Sequence, residues 1–120
     1  MTTERKKFLL DMFNTALEGG ICYWSVADAY HWLNDDDTED LGGFYAVILD
    51  TEDDDKPYRI DADVIELGIE RIVNGVVRLP SDLLRTVALI NATNGDEGGY
   101  NAETADCIVQ AGLFGEVMYG

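Results

Sequence analysis

The apolar side chains of this chain change period twice, and that pattern limits the fold more than any other feature. Phe8, Leu9, Met12, Phe13, Ala16 and Leu17 recur at helical spacing near the N-terminus. Between residues 21 and 60 the apolar residues come in short runs cut by acidic turns, as strands do. Helical spacing then returns through Val64, Ile65, Ile69, Ile72 and Val73, and again through Ala105, Ile108, Val109, Gly112 and Leu113. Strands grouped together and followed by helices imply an α+β fold rather than the alternating units of a parallel sheet. The expected order is an N-terminal helix, a two- to three-stranded antiparallel meander, then three helices. The 120 residues suit one domain, which can bury a core without disulfides or metals.

Local chemistry places the boundaries. Residues 4–18 read as a helix with Thr3 as its cap and Gly19-Gly20 as its stop. Arg5, Lys6 and Lys7 fall in its first turn, where the helix dipole disfavours cations, so fraying is expected there. Residues 21–33 read as a strand with Trp24, Val26, Tyr30 and Trp32 on alternate positions and Asp28 breaking the face. A helix over 25–33 capped by Ser25 competes with that reading. Residues 34–42 read as an acidic loop, 43–50 as a second strand, 51–56 as a second acidic turn and 57–60 as a short third strand.

Asp61 or Asp63 can cap the next helix, which Asn74-Gly75 ends. Residues 76–79 form an extended link to Pro80. Ser81 caps a helix through about Asn91, and residues 92–100 form a glycine-rich loop. Asn101 caps the last helix, and residues 116–119 have the composition of a terminal strand.

Charge sets the function classes. Twenty-four Asp and Glu stand against 8 Lys and Arg and one His, a formal net charge of -16. Such a surface repels nucleic-acid phosphates and anionic membranes, so no direct nucleic-acid or membrane partner is expected. No apolar run approaches the roughly 20 residues of a membrane span, and no signal peptide is visible, so a cytoplasmic location is expected. Cys22 and Cys107 match no metal spacing and read as buried free thiols.

Half of the acids lie within residues 34–63, concentrated at the two ends of the second strand. Asp35, Asp36, Asp37, Glu39 and Asp40 form one cluster, and Glu52, Asp53, Asp54 and Asp55 the other. A strand's length of about 20–25 Å separates them. Carboxylates held on a rigid fold imitate the charge spacing of a nucleic-acid backbone. They can therefore occupy a basic cleft in a nucleic-acid-binding protein, with salt weakening the association. These nine residues are the candidate partner-binding set. Trp24, Tyr30 and Trp32, with Tyr23 beside them, are candidates for an aromatic partner surface, although packing of most of them against the helices is the plainer expectation.

Other chemistries find less in the sequence. Asp50, Glu52 and Asp54 alternate as calcium-loop ligands do, yet Asp55 stands where that loop needs Gly and Asp61 where it needs Glu. No metal or cofactor site follows. His31 and Asp28 fall on opposite faces of a regular strand, which counts against an acid–base pair. Neither cysteine has a neighbouring histidine, no nucleophile elbow occurs, and no catalytic residue is assigned. A carboxylate- and metal-dependent enzyme of nucleotide or DNA metabolism, built on Asp28, His31 and Asp50, is one alternative. A structural or scaffold oligomer is the other.

Two stretches carry a resemblance. Thr15-Ala-Leu-Glu-Gly-Gly-Ile-Cys-Tyr-Trp-Ser25, with Tyr30-His31-Trp32 after it, is one, and the sequence from Ala105 to Gly120 is the other. Together they resemble a group of small acidic proteins of bacteriophages that infect actinobacteria. The resemblance supplies no fold, catalytic residue or ligand set. It implies a phage protein, made to act on host machinery, and the expected function is non-enzymatic binding and modulation of a basic or nucleic-acid-binding host protein, such as a defence protein.

Overall fold

A computed structural model describes residues 2–31 and 43–120. The chain is an α+β fold in the expected order: α1 (Thr3–Thr15), β1 (Ser25–His31), β2 (Tyr45–Asp50), β3 (Lys56–Asp61), α2 (Ala62–Val73), α3 (Ser81–Thr93) and α4 (Ala102–Phe114). The strands form one antiparallel sheet in the order β1-β2-β3. Ser25 pairs with Asp50 and His31 with Tyr45 across β1 and β2, while Asp50 pairs with Lys56 across the second hairpin.

Thr2, one residue earlier than expected, caps α1 by accepting from the Arg5 amide. The helix continues as a π-helical turn over Ala16–Gly20, closed by a bond from the Ile21 amide to the Ala16 carbonyl. The first turn is anchored rather than frayed. Arg5 reaches Glu66, the side chains of Asn91 and Asn94 and the Asn91 carbonyl, so it joins α1 to α2 and α3. These long-range partners outweigh a dipole penalty of about 0.3–1 kcal/mol.

The strand expected from residue 21 begins only at Ser25. Ile21–Trp24 is a turn, since the Ile21 carbonyl accepts from Trp24, from the Ser25 amide and from the Ser25 hydroxyl. No helix forms over 25–31. A bulge between Ala27 and Ala29 leaves Asp28 outside the register.

Asp61 caps α2 through the Val64 amide, and Asn101 caps α4 in a reciprocal box with Thr104. Caps of this kind contribute about 1 kcal/mol each. Ser81 is the first residue of α3 rather than its cap; Pro80 takes that place and offers no side-chain acceptor.

Helix α4 is the centre of the molecule. Every residue from Thr104 to Gly112 is buried, although the sequence pattern marks only one face. A helix buried all round must be packed on all sides, and α1 with its π turn, α2, α3 and β3 lie against it. Leu9, Met12, Phe13, Ile48, Ile60, Ile65, Ile69, Ile72 and Ile90 complete the core. Each such side chain contributes about 1.5–3 kcal/mol of burial. Residues 116–119 form no strand. Gln110 binds them instead, as described below.

Candidate functional site

The second acidic cluster is fixed by the β2–β3 hairpin. Thr51–Asp55 connects the strands, with the Asp53 amide bonded to the Asp50 carbonyl and the Lys56 amide to the Asp53 carbonyl. Asp54 and Asp55 take left-handed φ values of 53° and 57°. Two consecutive positive φ values are what a type I′ turn needs, and Asp tolerates them better than most residues. Glu52, Asp53, Asp54 and Asp55 are all exposed. Asp35, Asp36, Asp37, Glu39 and Asp40, and with them Trp32, lie outside the described residues.

The cations are too few to neutralise this surface: five of the eight, Lys7, Lys56, Arg59, Arg78 and Arg85, are exposed. Arg71 donates to the carbonyls of Ala111 and Gly112 at the end of α4. Lys56 and Arg59 lie over the rings of Tyr58 and Tyr45. Among the described residues the side-chain ion pairs are Arg5–Glu66 and the exposed Arg59–Asp61. Of the nineteen described carboxylates, fifteen are exposed. The net charge therefore reaches solvent.

The aromatic candidates divide. Trp24 is fully buried and is no partner surface; it packs on Tyr119 and Phe114 at ring distances of 5.4 and 5.6 Å. Tyr30 and Val26 are about half exposed on β1, where every residue after Ser25 is exposed. Tyr23 is 52% exposed, yet its hydroxyl donates inward to Asp106.

The acid–metal grouping of Asp28, His31 and Asp50 is not assembled. His31 stacks on Tyr45 at the far end of the sheet from Asp50, about 17 Å along β2. Asp50 is buried and accepts from the Glu52 amide and the Tyr119 hydroxyl. No group of three metal-ligating side chains forms among the described residues.

The structure adds a buried polar network that sequence reasoning missed. Asp106 accepts from the Trp24 indole at 2.9 Å, from the Gln110 amide at 2.8 Å and from the Tyr23 hydroxyl. The Gln110 oxygen accepts from the amides of Met118 and Tyr119 at 2.8 Å, and its nitrogen donates to the Tyr119 carbonyl. A side chain thus takes the place of a neighbouring strand for the C-terminal residues. The signal was present in Asp106 and Gln110, polar residues one turn apart within an apolar stretch, but the Tyr23 and Trp24 partners of Asp106 lie more than eighty positions away.

The network holds hydroxyls in their neutral form. Burial, then the hydrogen bond to Asp106, raises the Tyr23 pKa. The hydrogen bond to Asp50 comes first for Tyr119, pushed up to about 12. Both cysteines are free, but Cys22 is exposed rather than buried, with its thiol against the Leu17 carbonyl. Cys107 is buried as expected. Desolvation, then the charges of Asp106 and Glu103, pushes its thiol up to about 11. It is a thiol at neutral pH and a poor nucleophile.

No helix among the described residues is long and apolar enough to cross a membrane. In comparisons with known proteins, no family model, curated protein or solved structure matched the chain.

Proposed function

We propose that this protein is a non-catalytic binding protein that docks on a basic, nucleic-acid-binding protein and occupies the groove meant for phosphates. One observation supports the reading most: among the described residues fifteen carboxylates are exposed against five exposed Lys and Arg, so the surface keeps a large excess of negative charge. The acidic turn Glu52–Asp55 projects from a hairpin whose register is fixed along its whole length, so its charges keep their spacing. Long-range attraction from such a surface speeds encounter and suppresses acidic competitors. In the setting that the phage resemblance implies, the partner is a host defence or replication protein, inhibited or redirected by occupation of its nucleic-acid site.

The test is a pull-down from host lysate at low and at physiological salt. The wild-type chain is compared with a variant carrying Glu52→Gln, Asp53→Asn, Asp54→Asn and Asp55→Asn. The reading expects recovery of a basic nucleic-acid-binding protein that weakens with salt and with the substitutions. Recovery of no such protein, even at low salt, overturns it.

A further inference from the structure

A cleft of about 550 Å³ opens beside the N-terminal half of α4. That size lies within the range of small-molecule sites, roughly 300–1,000 Å³. Leu79, Pro80 and Leu83, from the link into α3 and its first turn, form an apolar wall, and Val117 of the C-terminal segment adds to it. Glu103 and Asp106, three residues apart and so on one face of α4, border the same space, as does Tyr23.

Asp106 is 6% exposed, and its three donors are neutral groups: a phenol, an indole and a carboxamide. Among the described residues no Lys, Arg or His comes within ion-pair distance of it. A buried carboxylate is a costly group, and a cation in direct contact offsets that cost most effectively. Among the described residues its Oδ2 accepts only from Tyr23, which leaves acceptor capacity on that oxygen. The lining sets two carboxylates against one guanidinium, that of the exposed Arg78, in a chain of charge -16. The local field therefore favours a cation over an anion of the same shape.

We propose that this cleft binds a primary ammonium group on a short apolar body, with Asp106 and Glu103 as acceptors and Leu79, Leu83 and Val117 around the body. This goes beyond the docking function above and does not depend on it. The ammonium group can come from a free amine or from a lysine side chain of a protein.

The test follows the Trp24 indole N–H and the Cys107 amide by NMR while the intact protein is titrated with n-pentylamine, n-pentanol, n-pentanoate or Nα-acetyl-lysine amide. Saturable shifts with n-pentylamine are expected at a Kd on the order of 1 mM. The alcohol and the carboxylate should bind at least about tenfold more weakly. Glu103 is exposed and Leu83 half-buried, so substitutions there leave the fold intact. Glu103→Gln should weaken the amine roughly threefold to tenfold, and Leu83→Trp, which fills the cleft, should abolish its binding. Equal binding of acetyl-lysine amide and pentylamine identifies a lysine side chain as a competent source; binding of pentylamine alone identifies a free amine. Binding of the alcohol or carboxylate as tight as that of the amine overturns the proposal. So does unchanged binding in Leu83→Trp, or an absence of saturable shifts up to about 10 mM amine.

Discussion

Gly68 of α2 and Gly112 of α4 open the same helix crossing from its two sides. A Cβ on Gly68 would stand 2.0 Å from the Ile108 carbonyl oxygen and 3.0 Å from the Gly112 nitrogen; one on Gly112 would stand 2.1 Å from the Val64 carbonyl oxygen. Backbone meets backbone here, so the helices must separate to admit even a methyl group. Gly68→Ala and Gly112→Ala should each destabilise by about 3 kcal/mol, measured by denaturant unfolding. The double variant should cost clearly less than the sum, because the first substitution already separates the helices.

Gln110 is the bond between α4 and the C-terminal residues. Gln110→Leu removes one donor from Asp106 and the acceptor of two amides. A loss of about 2–3 kcal/mol is expected. Residues 116–120 should become the first site of proteolysis, read by mass spectrometry of limited digests. Unchanged digestion would show that Tyr119, through its ring stacking on Trp24 and its hydroxyl bond to Asp50, holds this segment without Gln110.

Alkaline pH should loosen the fold. Cys107 rises from 9.0 to about 11, and Tyr100 and Tyr119 from 10.0 to about 12; burial leads for Cys107 and Tyr100, and the hydrogen bond to Asp50 for Tyr119. In each case the folded chain keeps its proton longer than the unfolded one. The stabilisation is therefore complete below the unfolded value and is lost as pH rises through the folded one. Stability should fall progressively between about pH 9 and pH 12. Tyr119→Phe should remove part of that fall, seen in thermal midpoints across the range.

The acidic turn stores local strain. A left-handed backbone costs about 1–2 kcal/mol for most non-glycine residues, and glycine gives back about 0.5–1 kcal/mol through the unfolded chain. Because Asp tolerates this conformation better than most residues, Asp55→Gly should stabilise the protein only slightly, by up to about 0.5 kcal/mol. It also removes a charge, so it should weaken attraction to a basic partner. Chemical denaturation and partner affinity, measured on the same variant, should move in opposite directions.

The parts of the fold written in neighbouring residues were legible. Asp61 and Asn101 cap the helices expected of them, and the hairpins follow from turns set between apolar runs. The structure departs from the sequence pattern where a tertiary or side-chain partner, rather than backbone propensity, decides. Residues 21–24 have strand composition but turn, because Trp24 is drawn into the core toward Asp106. Residues 116–119 have strand composition but find their partner in a side chain rather than a strand. Helix α4 reads as amphipathic, yet its other faces are covered by elements far away in sequence. Of the candidate site, the composition of the Glu52–Asp55 turn was legible. Its left-handed backbone, the inter-helix bonds of Arg5 and Arg71 and the cleft beside α4 were not, since each depends on the folded structure.

Exposed carboxylates that substitute for phosphates, as proposed, must compete with DNA for a basic protein. The direct measurement is displacement of labelled duplex DNA from a basic nucleoid-type protein, followed by fluorescence polarisation over a series of salt concentrations. The intact chain should displace the DNA, with potency falling steadily as salt rises. The variant with Glu52→Gln, Asp53→Asn, Asp54→Asn and Asp55→Asn should need about tenfold more protein. Failure to displace DNA at low salt, or equal displacement by the variant, would rule out phosphate mimicry by this turn.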